Sequence, residues 1–471
     1  MKRIHLYLLF TFIASILHAQ SLPQKLDSLL NDPLLRTSEV GITVFDLTTG
    51  ESLFRHQDEK LYRPASTEKV ITSVTALAVL GTDYTMDTRL QYTGQIENDT
   101  LKGNLYLIGG FDPELMDEDL DSLVDVIAQS GIRYIADTLA ADISMTDSVY
   151  WGSGWSWDDA PDSFQPYLSS LMLNRGCVDV TVIPIQKDSL PDVVCMPASD
   201  FYQVDNDAVS YRPEAGKLKI TRNWLHHGNL IHISGNVSKK TTQTLSVYNS
   251  QEFFLHTFSK RLKEKGIEVR HVTFADCPES DSLMVVSPLF TLERPIVEVL
   301  NQMMKESDNL CAESMFYHLA MNRVQRKWVS DNDGTDAVNY FMKDTLGFNP
   351  EIYNIADGSG VSLYNYVSPQ LLLEYLKYAY HHPDIFQPFY ESLPIAGMDG
   401  TLEHRMKKGK TFRNVRAKTG TVKGVSSLAG YAKASNGHLL AFVIINQNVM
   451  KAHLAREWQD KVCNVLCSSK Y

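Results

Sequence analysis

Pro64-Ala65-Ser66-Thr67-Glu68-Lys69-Val70-Ile71 is the stretch on which the fold is read. The proline and the small residues after it open a helix. Val70, Ile71, Val74, Leu77 and Ala78 follow at helical spacing and give that helix an apolar side. Ser66 falls at the helix start, and Lys69 stands one turn later on the same face. A serine hydroxyl is a poor nucleophile at neutral pH. An amine held against it, its pKa lowered by burial or by a neighbouring positive charge, can take the proton. The helix N-terminus favours negative charge on the attacking oxygen. Alone, S-x-x-K occurs by chance in many proteins, so the stretch needs companions.

Two companions lie downstream. Ser307-Asp308-Asn309 follows a helical pattern from Pro295 to Lys305 (Ile296, Val299, Leu300, Met303), and a new helix is expected around Leu310. A polar triplet between apolar helices is ordinarily a cap and turn. Here it brings a hydroxyl and a carboxamide to a cleft: Ser307 to relay a proton toward a leaving amine, Asn309 to hold the substrate backbone and keep Lys69 in place. Lys418-Thr419-Gly420-Thr421 precedes a strand-like run from Val422 to Gly430. Gly420 lets a substrate backbone lie close to the strand edge, and an extended peptide adds there as one more strand. Lys418 and Thr419 offer charge and a donor to a terminal carboxylate, and the backbone N–H groups of Ser66 and Thr421 suit an oxyanion hole. In this order, S-x-x-K, S-x-N and K-T-G mark serine β-lactamases and penicillin-binding proteins, so the trio points to serine acyl transfer.

The flanking sequence predicts the frame. Val40 to Phe45 and Ser52 to Phe54 enclose a turn at Thr48-Thr49-Gly50, a hairpin signal. Ser426 to Lys433 and His438 to Ile445 enclose Ser435-Asn436-Gly437, and Asn-Gly is the strongest short hairpin cue. Leu454, Trp458, Val462 and Leu466 predict an amphipathic C-terminal helix. Both termini thus supply a hairpin and a helix, which suits one sheet built from both ends. Between about Asp87 and Pro288 short strand patterns alternate with turns: Asn104 to Ile108, Val178 to Ile185, Leu218 to Thr221, Leu230 to Ser234 and Thr244 to Val247. Helical patterns are clearest at Leu120 to Ser130 and Gln251 to Lys265. The expectation is α+β: a catalytic part from residues 20–86 and 289–471, and a large mainly β insertion at 87–288.

At 471 residues the chain is too long for one ordinary core. A net charge of −12 argues against nucleic acid, which needs clustered Lys and Arg. Lys2 and Arg3, a nearly apolar run from Ile4 to Leu17, and Ala19 before a cut near Gln20 read as a signal peptide over residues 1–19. No Cys follows the cut, which excludes lipid attachment there. An exported, periplasmic protein, soluble after cleavage and with at most peripheral membrane contact, is expected. Of the six Cys, Cys463 and Cys467 are four apart in a helical pattern and read as small buried residues. No C-x-x-C or His-Cys cluster stands at metal-ligand spacing, so no metal is expected, and the acyl-transfer chemistry needs no organic cofactor.

Longer strings carry a resemblance. Gly103-Asn104-Leu105-Tyr106-Leu107-Ile108-Gly109-Gly110-Phe111-Asp112-Pro113, Trp155-Ser156-Trp157-Asp158-Asp159, Asp357-Gly358-Ser359-Gly360 with Asn365, and the run from Leu393 to Leu402 (L-P-I-A-G-M-D-G-T-L) stand beside the trio. Together they resemble the D-alanyl-D-alanine carboxypeptidase/endopeptidase family of class C, low-molecular-mass penicillin-binding proteins over most of the mature chain. The resemblance implies a β-lactamase/DD-peptidase-like domain, with an antiparallel sheet flanked by helices and a helical part across the cleft. It implies two extra domains between the first and second motifs. It also implies cleavage of the terminal D-Ala-D-Ala bond of peptidoglycan stem peptides, often of D-Ala-diaminopimelate cross-links, and acylation of the serine by β-lactam antibiotics. Family members hold the distal end of the diaminopimelate side chain with an Asp and an aromatic. Asp159 and Phe164 match them, with a loop carboxylate and a core Phe as the plain alternatives. Many members carry an Arg after D-G-S-G-x-S where this chain has Leu363; Lys423 is the substitute charge, held less rigidly.

Two other functions share these motifs. A β-lactamase needs a base for the deacylating water, for which Glu351 is the nearest candidate at a poorly matching spacing. A catalytically silent cell-wall or antibiotic-binding protein needs no intact trio.

Overall fold

The computed structural model describes residues 21–278 and 285–470, so the signal-peptide expectation lies outside the described residues. A five-stranded sheet runs in the order Arg416–Val422, Gly424–Lys433, Leu439–Val449, Glu39–Asp46, Glu51–His56. Its two hairpins come from opposite ends of the chain and meet where Glu39–Asp46 pairs antiparallel with Leu439–Val449. The C-terminal turn holds Gly437 at φ +93°, a conformation that glycine adopts without a Cβ penalty.

Helices cover both faces. On one, Ala452–Ser468 packs with Leu22–Leu29 and buries Trp458, Val462 and Leu466. The expected stripe misses at its first member. Leu454 is 41% exposed, and Ala455 is the first fully buried residue of the helix. Cys463 and Cys467 are buried and unbonded. On the other face, Lys69–Leu80, Ile296–Lys305, Asn309–Arg323 and Pro369–His381 share one apolar core.

Strand Thr85–Thr93 leaves this core and Val286–Pro295 returns to it. They pair antiparallel, from Thr85 opposite Pro295 to Thr93 opposite Val286. Ile296 N–H then donates to the Tyr84 carbonyl at 2.9 Å. The long excursion therefore opens and closes at one point, and the helices bearing the first two motifs become neighbours. The expected edges, 87 and 288, fall within this strand pair. The pair belongs to a seven-stranded sheet, and between its two strands in the chain lie the other five strands of that sheet, two three-stranded sheets and helices Asp117–Gln129 and Ser250–Glu264. Most of the buried apolar side chains of these sheets form one cluster, and Tyr106, Ala140 and Cys277 form a small second one. Arg175 ties this region to the second motif. It pairs with Glu114 at 2.7 Å and reaches Asp308 at 3.4 Å.

Candidate active site

The helix expected from Pro64 is two elements: a 3-10 turn, Ala65–Glu68, and an α-helix, Lys69–Leu80. The tight turn follows from packing. Ala65 sits at φ +49°, a strained conformation for a residue with a side chain. The Pro64 carbonyl accepts from Thr67 Oγ1 at 2.7 Å and from Ser427 Oγ at 2.6 Å. Ser66 is thereby presented half-buried at the edge of the core.

Lys69 is fully buried. Its Nζ donates to Ser66 Oγ at 3.2 Å, to Asn309 Oδ1 at 2.6 Å and to the Ser359 carbonyl at 2.8 Å. Burial pushes its pKa down to about 8, while the charges of Asp357 and Glu313 hold it up against a larger fall. Lys418 is as deeply buried. Its Nζ donates to Ser307 Oγ at 2.8 Å and to the Thr419 carbonyl at 2.9 Å. Burial and then the charge of Lys69 hold Lys418 well below the ordinary lysine range. Ser307, like Ala65, is strained, at φ +63°. Asp308 caps the Asn309–Arg323 helix, accepting from Cys311 N–H at 3.0 Å. That cap fixes where Asn309 leaves the turn.

Asn309 keeps Lys69 in place through Oδ1, and one of the two N–H bonds of its Nδ2 is taken within the protein. Nδ2 donates to the Phe164 carbonyl at 2.7 Å, which locks the amide orientation. Gly420 has a reason beyond the expected one. A Cβ there would lie 2.2 Å from Ser427 Oγ, 2.8 Å from the Pro64 carbonyl and 3.0 Å from Ser66 N. The glycine makes room for the turn that carries the serine. Thr419 Oγ1 donates to Thr401 Oγ1 at 2.7 Å.

Strand Arg416–Val422 ends the sheet. Ala417 N–H donates off that edge to the Pro394 carbonyl at 3.1 Å. Backbone groups alternate in direction along a strand, so the N–H groups of Thr419 and Thr421 also point off the edge. Beyond Ala417 the edge is open to an added strand.

The outer residues are looser. Phe164 is 42% exposed, which removes the core-Phe alternative. It lines a cavity of about 520 Å³ together with Ser307, Asp308 and Asn309. Asp159 is half-buried in the 3-10 turn Trp157–Asp159, 3.4 Å from Gln165 Nε2. Burial and its acidic neighbours Asp158 and Asp162 raise its pKa, and the charge of Lys423 opposes them. Lys423 is exposed in the turn after the third motif, within electrostatic reach of Asp159. At Leu363 the expected gap in charge is partly closed from elsewhere: Arg63 Nε donates to the Leu363 carbonyl at 3.0 Å. Glu351 is exposed, and its own N–H donates to Asn349 Oδ1 at 3.2 Å, a local bond.

Several residues beneath Lys69 escaped the sequence reading. Glu313 accepts from the N–H groups of Gly358 and Ser359 at 3.2 and 3.0 Å, and burial raises its pKa to about 8. Asp357 accepts from Trp155 Nε1, Ser359 Oγ, the Gly360 and Ser362 N–H groups and Asn365 Nδ2, all at 2.6–3.2 Å. Glu68 is fully buried with neither carboxylate oxygen hydrogen-bonded, and burial beside Asp357 raises its pKa well above the usual range. Glu313 did leave a signal, standing four residues after Asn309 on one helix face.

A serine under a buried lysine, a second lysine on the facing hydroxyl, and an open strand edge make this a β-lactamase/DD-peptidase-like protein. The D-Ala-D-Ala carboxypeptidase 3 (S13) family model matches residues 22–467, and the chain belongs to that family. The D-alanyl-D-alanine carboxypeptidase DacB of Haemophilus influenzae is 30% identical over 430 residues, which is 88% of this chain and 86% of the relative. The D-alanyl-D-alanine carboxypeptidase of Actinomadura sp. (strain R39) is 30% identical over 444 residues, 90% of this chain and 80% of the relative. The crystal structure of penicillin binding protein 4 from Haemophilus influenzae superposes with a TM-score of 0.82 at 25% identity, covering 94% of this chain and 99% of that one.

Proposed function

We propose that this protein is a serine-type D-Ala-D-Ala carboxypeptidase that also opens D-Ala cross-links as an endopeptidase, acting on peptidoglycan peptides through an acyl-enzyme on Ser66. One observation carries the reading: Lys69 Nζ stands 3.2 Å from Ser66 Oγ and 2.6 Å from Asn309 Oδ1. In its neutral form Lys69 takes the Ser66 proton, and the freed oxygen attacks the penultimate D-Ala carbonyl. The N–H groups of Ser66 and Thr421 receive the oxyanion. The peptide lies along the open edge from Thr419, with Thr419 and Lys418 toward its terminal carboxylate. Ser307 and Lys418 pass a proton to the departing amine. Water then releases the acyl group. Asp159, Phe164 and Lys423 receive the side chain of the third stem residue. The Asp159 carboxylate suits an ammonium there, and the exposed Phe164 ring its methylenes. β-Lactams acylate the same serine; penicillin binding protein 4 of Haemophilus influenzae has been solved with a β-lactam.

The β-lactamase reading lacks its water-activating base, since Glu351 sits on the surface with only a local bond. Residues 87–288 are assigned as the inserted unit, supported by the side-by-side strands that bound it. Among the described residues no helix is long and apolar enough to cross a membrane. Export to the periplasm with loss of residues 1–19 is part of the proposal, and N-terminal sequencing of the purified mature protein checks it. Release of D-alanine from diacetyl-Lys-D-Ala-D-Ala, and from muropeptides, tests the activity. Absence of release from both would leave only a binding role.

A further inference from the structure

The chain is acidic, at a net charge of −12, yet one surface stretch runs the other way. Five of the eleven residues from Glu403 to Arg413 are Lys or Arg, where the chain's average would give about one. Arg405 is held within the protein, by Asp460 at 2.6 Å. Lys407, Lys408, Lys410 and Arg413 are exposed. Among the described residues no carboxylate pairs with any of these four.

The fold gathers these cations. The chain turns through left-handed residues at Met406, Gly409 and Arg413, with φ at +52°, +78° and +60°. Lys407 and Phe412 return over one glycine: a Cβ on Gly397 would lie 2.6 Å from the Phe412 ring and 3.0 Å from Lys407 Cα. The Arg413 guanidinium stands 6.0 Å from the centroid of the Phe412 ring. Asn414 ties the loop to the C-terminal hairpin. Its Nδ2 donates to the carbonyls of Lys410 and Lys433 at 2.9 and 2.8 Å, and Lys433 N–H donates to its Oδ1 at 2.8 Å. Lys410 Nζ donates to Ser435 Oγ at 2.7 Å. Exposed Lys433 thereby joins the group. Apolar side chains lie among the charges: Phe412 is 37% exposed, and Met398, next to Gly397, 42%.

Two features select the occupant. Separate cations spread around a surface loop suit an extended sheet of negative charge, whereas one small anion needs donors that converge on it. Bare aromatic and thioether side chains between the cations suit the boundary of headgroups and acyl chains. A dissolved polyanion would leave those side chains in water.

We propose that this face, with Lys407, Lys408, Lys410, Arg413 and Lys433 around Phe412, docks the protein on a bilayer surface rich in anionic lipid. The excess negative charge elsewhere is repelled by such a surface, so contact is confined to this face. The loop runs directly into strand Arg416–Val422, and docking therefore orients the strand that carries the third motif. Which bilayer the protein meets rests on the export reading; the attraction to anionic lipid does not.

Vesicle flotation of the mature protein tests it, with phosphatidylglycerol–phosphatidylcholine vesicles against pure phosphatidylcholine. The expected result is binding to the anionic vesicles in about 20 mM salt, at least about tenfold weaker in about 500 mM salt and on the neutral vesicles. Replacing three lysines together (Lys407→Gln, Lys408→Gln and Lys410→Gln) should weaken it about a hundredfold. Phe412→Ala should weaken it about fivefold. No binding to anionic vesicles, equal binding to both lipids, or an unchanged affinity in the triple variant overturns the proposal. Tight binding of soluble polyphosphate without vesicle binding also overturns it and makes the partner a dissolved polyanion. Thermal melting confirms that the variants, altered at exposed side chains, are folded. Absence of D-alanine release with vesicle binding intact would sink the peptidase reading and leave the docking face standing.

Discussion

Two lysines, equally buried and facing one reaction site, have opposite surroundings. Lys69 has three acceptors, on Ser66, Asn309 and Ser359, and the carboxylates Asp357 and Glu313 behind it. Three acceptors match the three N–H bonds of an ammonium. Lys418 has two acceptors, on Ser307 and Thr419, and the charge that bears on it among the described residues is that of Lys69, which repels it. Two acceptors match the two N–H bonds of a neutral amine and leave its lone pair free. Burial alone would have made the two alike. Carboxylates near one of them favour its charged form, and in the proposed cycle this distinguishes the lysine that takes the Ser66 proton from the lysine that relays one.

Substitution is the largest challenge to that contrast. Lys69→Met keeps the volume and removes the base, and penicillin acylation is expected to slow by about a thousandfold. Lys418→Met is expected to cost about a hundredfold, with stopped-flow acylation rates as the measurement. Equal losses would erase the distinction. The pH dependence sharpens it next. Attack needs neutral Lys69, whose pKa is about 8, so the neutral fraction grows as pH rises toward that value. The acylation rate should climb about fifty-fold from pH 6 to pH 8 and then level off. A flat profile would mean that Lys69 does not gate attack.

Gly420→Ala tests the seam that holds the two lysine environments together. The new methyl meets Ser427 Oγ and the Pro64 carbonyl, so about 2 kcal/mol of stability should be lost in urea unfolding. An unchanged midpoint would show that the seam yields. Outside both environments, Asp159→Asn should raise KM about fivefold for a substrate bearing an amine on the third residue, with kcat unchanged. A fall in kcat instead would draw the rim into the chemistry.

The residues that make contact through their own type were legible in the sequence. Ser66, Lys69, Ser307 and Lys418 stood out because each motif spacing is local, and the Asn436-Gly437 turn fixed a hairpin for the same reason. What a residue is pressed against was not legible. Gly420 was assigned to substrate, whereas its neighbour is the backbone of Ser66, distant in sequence. The bond from Asn309 Nδ2 to the Phe164 carbonyl, on a loop of the long excursion, has no mark in the sequence. Glu313 leaves only its spacing of four from Asn309, and Asp357 stands in the string Asp357-Gly358-Ser359-Gly360, which does not point to Lys69. A charge under a lysine is a product of packing between segments. Leu454 is exposed for a simpler reason: periodicity gives the face of a helix but not how far along it the packing extends.

All of this stands on Ser66 as the oxygen that becomes covalently bound. The direct measurement is mass spectrometry of the protein after mixing with benzylpenicillin, followed by digestion. A penicilloyl group on the peptide containing Ser66, and none in Ser66→Ala, is the expected result. An adduct on another residue, or one that persists in Ser66→Ala, would contradict it.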